Sequence, residues 1–333
     1  MAFKPIPSRS ERPPLLNMST KKTTTKLRLP MKLIKNAIVF NVEMPTSKIL
    51  ADKLEARPFI EPTSLETLSI GFVGVPISNE TVINYEGGMA FAVRIDEKVI
   101  PNSAIELKTQ ELVAKVETEE KRKVGKKERR DLKDIVATDI IKRAIAKTSI
   151  ITVFFDTKKK YLIIPISSSR HAQMIINLLI IAIETLKTST IHINSVTKGI
   201  TALLCDQVNG NNTAFGHFNV GDHVQLQRQK KEKVTFNLHN ATAAAEKGFI
   251  EALDSGFEVK QIQLISKLGS FNLTEQFHLK SIAFDDYEEA YNKESFVDVW
   301  MHEAAVQTLM TSTLISNLCE MIGYLPEEQR AAA

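Results

Sequence analysis

The residues best suited to chemistry in this chain are cations. Lys121, Arg122, Lys123, Lys126, Lys127, Arg129, Arg130 and Lys133 stand together, with only Glu128 and Asp131 as acids among them. Two smaller groups follow: Lys158, Lys159 and Lys160, then Arg228, Lys230, Lys231 and Lys233. Side chains of this type at this density suit a polyanion, because each cation set against a phosphate releases condensed counterions and gives affinity without reading bases. A lone charged helix is more often a solvated face. Three basic groups on separate segments move the balance toward nucleic acid. No helix-turn-helix, zinc finger or RNP-type aromatic signature accompanies them, so the expected binding is indifferent to sequence.

Other chemistries find less. His217 and His223 lie six positions apart with Asp222 adjacent, but no H-E-x-x-H or third ligand is near. Asp285, Asp286, Glu288 and Glu289 imitate a paired-carboxylate metal centre; without a nuclease-like lysine spacing they read as an acidic turn. Cys205 and Cys319 lack a histidine neighbour and a C-x-x-C pairing, which leaves a buried structural role. Ser167 to Ser169 lack the G-x-S-x-G elbow and fit a helix cap. The sequence therefore predicts no catalytic residue, no metal and no cofactor.

The elements that carry the cations follow from periodicity. Pro101 opens a unit in which Ser103 and Glu106 have the spacing of a capping box, and Ile105, Leu112 and Val116 recur at helical intervals. Gly125 interrupts, and Leu132, Ile135, Val136 and Ile140 continue a second helix. The reading is a helical hairpin turning near Val124 to Lys127, whose narrow apolar stripe marks a projecting element. Before it come a strand at 31–42, a helix at Ser47–Ala56, a turn at Gly71–Pro76 and a strand at Met89–Ile95. After it come strands at Ile150–Phe155 and Tyr161–Ile166, joined by the 157–160 turn, then a capped helix to about Leu186 and a short helix near 200–208. The remainder reads as strands at 223–227 and 233–237, a helix at 241–253, strands at 258–266 and 270–284 broken near Glu275, and a closing helical region at 295–321. Grouped strands with helices between them predict an α+β fold with mixed sheets rather than a regular parallel one. The domain expectation is a basic disordered tail at 1–30, a central body from 31–100 and 147–190, a hairpin tip at 101–146, and a second α+β base region at 191–333.

Composition excludes other classes. Hydrophobic residues at 43% and charged residues at 25% are globular values, not those of a disordered or fibrous chain. The longest apolar run, Met174 to Ile183, is far short of a membrane span and predicts a buried helix. Net charge is +4, yet residues 1–30 hold seven bases and one acid, so the remaining 303 are net −2. Residues 121–160 carry fourteen bases against five acids, and 285–333 carry ten acids against two bases. Charge is concentrated rather than spread.

Lys98-Val99-Ile100-Pro101, Glu119 to Glu128, Leu132-Lys133-Asp134, Arg143-Ala144, Glu251 to Leu264, Phe271 to Asp286 and Leu309-Met310-Thr311 follow one another in an order that, with Met31 to Asn36 at the start, resembles the recombination-associated protein RdgC family. The resemblance covers about residues 31 to 322 and implies a ring-shaped homodimer that surrounds DNA. It implies binding to single- and double-stranded DNA with little sequence preference, and restraint of a RecA-type recombinase through competition for DNA. A cytoplasmic, nucleoid-associated protein without membrane contact is implied with it. Expected DNA contacts are Lys121, Arg122, Lys123, Lys126, Lys127, Arg129, Arg130, Arg143, Lys158, Lys159, Lys160, Arg228, Lys230, Lys231 and Lys280. Where the family has an aromatic plug across the ring's gate this chain has Ile145, and where it has a Lys-Gln pair this chain has Leu238-His239, so the gate chemistry differs. Two alternatives stand beside this reading: a dimeric module docking an acidic protein, and a metal-dependent nuclease.

Overall fold

The computed structural model describes residues 31–184, 186, 188–190, 196–228, 232–237, 247–285 and 295–323. The expected tail at 1–30, Lys230, Lys231, Leu238, His239, Asp286, Glu288 and Glu289 lie outside the described residues.

The first sheet begins with β1 (Ile38–Val42), β2 (Leu68–Val73), β3 (Val82–Tyr85) and β4 (Gly88–Lys98), and continues through β5 (Ala146–Asp156), β6 (Tyr161–Ile164) and β7 (Thr188–Thr190). Its order is β2-β4-β5-β6-β1-β7, with β3 also paired to β4. The long register of β4 with β5 runs from Gly88 opposite Asp156 to Lys98 opposite Ala146. One face is covered by α1 (Ser47–Glu55) and α4 (Ser169–Ile183), whose Leu50, Leu54, Ile175 and Leu179 pack on Phe91, Val93, Val153 and Leu162. The Ser168 side chain caps α4 by accepting from the His171 amide, as the serine run predicts. The opposite face meets α7 (Phe296–Met321): Trp300 stacks on Phe154 with ring centres 6.1 Å apart, and Tyr85 hydroxyl meets Thr308 hydroxyl at 3.0 Å. Burial on both faces explains why β4 reads as an unbroken apolar run, Met89 to Val93, rather than an alternating one.

The second sheet contains β8 (Asn219–Arg228), β9 (Glu232–Asn237), β10 (Glu258–Ser266), β11 (Gly269–Thr274) and β12 (Leu279–Phe284), in the order β12-β11-β10-β8-β9. The intervening α5 (Val196–Val208) packs on β10, and α6 (Lys247–Asp254) contributes buried Phe249. Ala37 bridges Leu279, and the Ile282 amide donates to the Lys35 carbonyl, so the segment before β1 joins β12.

The α+β class holds, with one refinement and two corrections. The sheets are antiparallel rather than mixed, because β4 returns to β5 through a hairpin of helices instead of a crossover. Gly71 is not in a turn; it lies inside β2, where a Cβ would sit 2.4 Å from Phe59 Cα, so glycine there answers a close backbone approach. The capping box is absent too. The first hairpin helix starts at Asn102 with Pro101 as its cap residue, no side chain caps it, and Glu106 is drawn instead to Lys133.

Candidate nucleic-acid interface

The helices α2 (Asn102–Glu120) and α3 (Lys126–Arg143) connect β4 to β5. Nineteen residues at about 1.5 Å each make α2 roughly 28 Å long. Few residues hold the pair together: only Ile105, Thr109 and Val136 are buried, with Leu132 and Val116 half-buried along the same seam. Such a thin seam leaves most of each helix facing solvent, as the narrow apolar stripe predicts.

The turn at 121–125 carries the basic block. Lys121 adopts a left-handed backbone with φ 52°, ending α2, and Gly125 begins α3 with its carbonyl accepting from Arg129 at 2.9 Å. Lys121, Lys123, Lys126, Lys127, Arg129 and Arg130 are exposed, and among the described residues none of them forms an ion pair. On α3, Lys126, Lys127 and Arg130 fall within an arc of about 100° at 3.6 residues per turn, turned away from the Leu132–Val136 seam. Arg122 is engaged differently. Its guanidinium donates to Glu120 at 2.6 Å and, through both terminal nitrogens, to Glu128 at 2.7 and 2.6 Å. These two carboxylates raise the Arg122 pKa, and Arg122 holds the Glu128 carboxyl below its usual range. Lys133 pairs with Glu106 across the seam and lowers its pKa in the same way.

The other expected contacts are dispersed. Lys158, Lys159 and Lys160 occupy the β5–β6 turn, at the far end of an eleven-residue ladder and so about 34 Å from the hairpin root. Within that group Lys159 Nζ donates to Ser312 O and Ser316 Oγ, and Lys160 pairs with Glu43, while Lys158 is exposed. Arg143 pairs with Asp139 at 3.2 Å. Arg228 lies over the Phe257 ring on the second sheet, and the half-buried Lys280 is on β12. Ile145, where α3 gives way to β5, is 87% exposed, unusual for an isoleucine beside a sheet. Two carboxylates at the turn, Glu117 and Glu120, escape the sequence reading, and Glu128 enters it only as an acid among the cations; the signal available was their spacing around Arg122.

Burial pushes the Cys319 thiol up to about 12, which keeps it protonated and unreactive. His217 faces Glu320 at 3.6 Å, and among the described residues no three His, Cys, Asp or Glu side chains gather where they could share a metal. No helix among the described residues is long and apolar enough to cross a membrane.

Fold and site together define an α+β protein of two antiparallel sheets with a projecting, cation-tipped helical hairpin. A family model described as "Putative exonuclease, RdgC" matches residues 33–326. Relatives named recombination-associated protein RdgC include those of Neisseria meningitidis serogroup C / serotype 2a, strain FAM18, and Neisseria gonorrhoeae, strain FA 1090. Each is 26% identical over 285 residues, covering 85% of this chain and 94% of the relative. The protein of that name from Laribacter hongkongensis is 25% identical over 282 residues, covering 84% of this chain and 92% of the relative. The chain belongs to the RdgC family.

Proposed function

We propose that this protein is a non-catalytic, sequence-tolerant binder of single- and double-stranded DNA that closes as a homodimeric ring and restrains a RecA-type recombinase by occupying its DNA. The observation that carries the reading is the hairpin tip, where six exposed bases make no ion pair among the described residues. Unpaired cations on a projecting arm can reach phosphates without first breaking internal contacts. The recombination association printed in the relatives' names fits such a role. For the ring, the support is the exposed Ile145 at the hairpin root, an apolar side chain suited to a partner's pocket; the family resemblance assigns Leu238 and His239, outside the described residues, to the same gate. Within this reading, 101–146 serves as the tip, 31–100 with 147–190 as the body, and 191–333 as the base.

The test is a salt series. Affinity for random duplex should fall linearly in log-log form, by a similar slope for unrelated sequences. Closed circular DNA should be retained through a high-salt wash and released after linearisation, because a ring holds by topology as well as charge. Absence of any complex at physiological salt would favour the module that docks an acidic protein.

Removing residues 1–30 takes away seven bases and one acid. Binding should persist in that truncation, measured by the same mobility shift, because the proposed contacts belong to the hairpin and its neighbours. A truncation that no longer binds would assign DNA binding to the tail. The nuclease alternative draws on the description of the matching family, "Putative exonuclease, RdgC". Plasmid and linear duplex incubated with magnesium or manganese should remain intact; progressive loss of the linear form would reinstate catalysis.

A further inference from the structure

The acids inside the basic tip have no place in a purely electrostatic account of DNA binding. We infer that Arg122 clamps the hairpin turn and that Glu117, Glu120 and Glu128 are positioning residues whose negative charges strengthen DNA binding. The inference rests on the DNA-binding reading above and concerns the arrangement of the same tip.

The turn needs such a device. Between Glu120 and Lys126 the backbone reverses through a left-handed lysine, and no side-chain cap holds the start of α3. Val124 is only half-buried, so packing contributes little to fixing the loop. What spans it is polar. Glu117 accepts from the Val124 amide at 2.9 Å, tying the end of α2 to the far side of the turn. Arg122 then bridges Glu120, the last residue of α2, to Glu128 in the first turn of α3. The contact with Glu128 is a two-nitrogen, two-oxygen fork, whose direction as well as distance is constrained. An isolated exposed ion pair contributes little, but a bidentate arginine shared by two carboxylates is the geometry in which such contacts count. All five residues of the clamp lie on the loop or the helix turns beside it. Lys121 and Lys123 flank Arg122 in sequence, and Lys126 and Lys127 immediately precede Glu128, so fixing the clamp fixes the backbone from which these four ammonium groups extend.

The inference can be tested by the sign of an effect. Glu120→Gln with Glu128→Gln removes two negative charges from a phosphate-binding surface, so Coulomb's law alone predicts tighter binding. The clamp predicts the reverse. Loss of well-placed geometry equivalent to one phosphate contact makes binding to random duplex about eightfold weaker at roughly 0.1 M salt. Arg122→Lys keeps the charge and loses the fork, and should weaken binding in the same way. Both variants should speed hydrogen exchange at the Val124 amide, while the thermal midpoint of the full chain stays unchanged because the turn is remote from both sheets. Equal or tighter binding by the double glutamine variant, or full affinity in Arg122→Lys, overturns the inference. If wild type binds duplex normally, that outcome sinks the clamp alone. If wild type fails to bind duplex, the DNA-binding reading and the clamp fall together.

Discussion

Replacing Lys121, Lys126, Lys127 and Arg130 together by alanine should weaken binding to random duplex about a thousandfold or more at roughly 0.1 M salt. It should also lower the slope of log affinity against log salt by about 3.6, since each phosphate contact contributes about 0.9. All four side chains are exposed and none is in an ion pair among the described residues, so folding should be almost untouched, within about 0.5 kcal/mol. The loss should be uniform across unrelated sequences, because backbone contacts carry no base information. The same reasoning predicts much smaller effects at Lys159 and Lys160, whose ammonium groups are already engaged with Ser312, Ser316 and Glu43. An unchanged affinity and slope in the quadruple variant would remove the hairpin from the DNA surface and return attention to the turn at Lys158.

The hairpin was legible in the sequence because its two helices obey local rules. Ile105 and Val136 recur at helical spacing on either side of Gly125, and the turn falls within a few residues of where that glycine suggests. Helix α4 was legible for the same reason, as a capped apolar run buried against the first sheet. What the sequence could not convey was distance. The basic groups at 121–133 and 158–160 are close in the chain, yet the β4–β5 ladder sends them to opposite ends of a sheet. Nor could it distinguish Arg122 from its neighbours, since the distinction depends on two carboxylates brought together by a chain reversal. Gly71 and the Ser103–Glu106 pair misled in a related way: a close backbone approach by Phe59 and an attraction to Lys133 on another helix overrode local signals. Tertiary partners decided each of these cases.

The second large effect concerns stability. Gln307→Leu should destabilise the fold by about 4 kcal/mol, because it leaves several buried polar groups without the partner they now have. Gln307 is 2% exposed in the middle of α7. Its side-chain oxygen accepts from the backbone amides of Leu33 and Ile34, each at 3.0 Å, and its amide nitrogen donates to Glu303 at 3.0 Å. Leucine has nearly the right volume and no polar atoms, so packing is preserved while the buried Ile34 amide, the half-buried Leu33 amide and the fully buried Glu303 carboxylate lose a contact each. Costs of about 1–3 kcal/mol per buried hydrogen bond lost place the total among the exceptional single-site effects. The damage should spread beyond α7. Residues 33–37 join that helix to the edge of the second sheet through Ala37, Leu279, Lys35 and Ile282, so loosening Leu33 and Ile34 loosens the link between the sheets. Thermal unfolding followed by circular dichroism should show the midpoint falling by on the order of 10 °C. Leu309→Ala, a larger truncation two residues further along α7 but at an exposed position, should leave it within about 2 °C. Equal midpoints for Gln307→Leu and wild type would mean that the amide clamp on Leu33 and Ile34 contributes nothing net, and that the backbone bonds of Lys35 and Ala37 to β12 hold the segment without it.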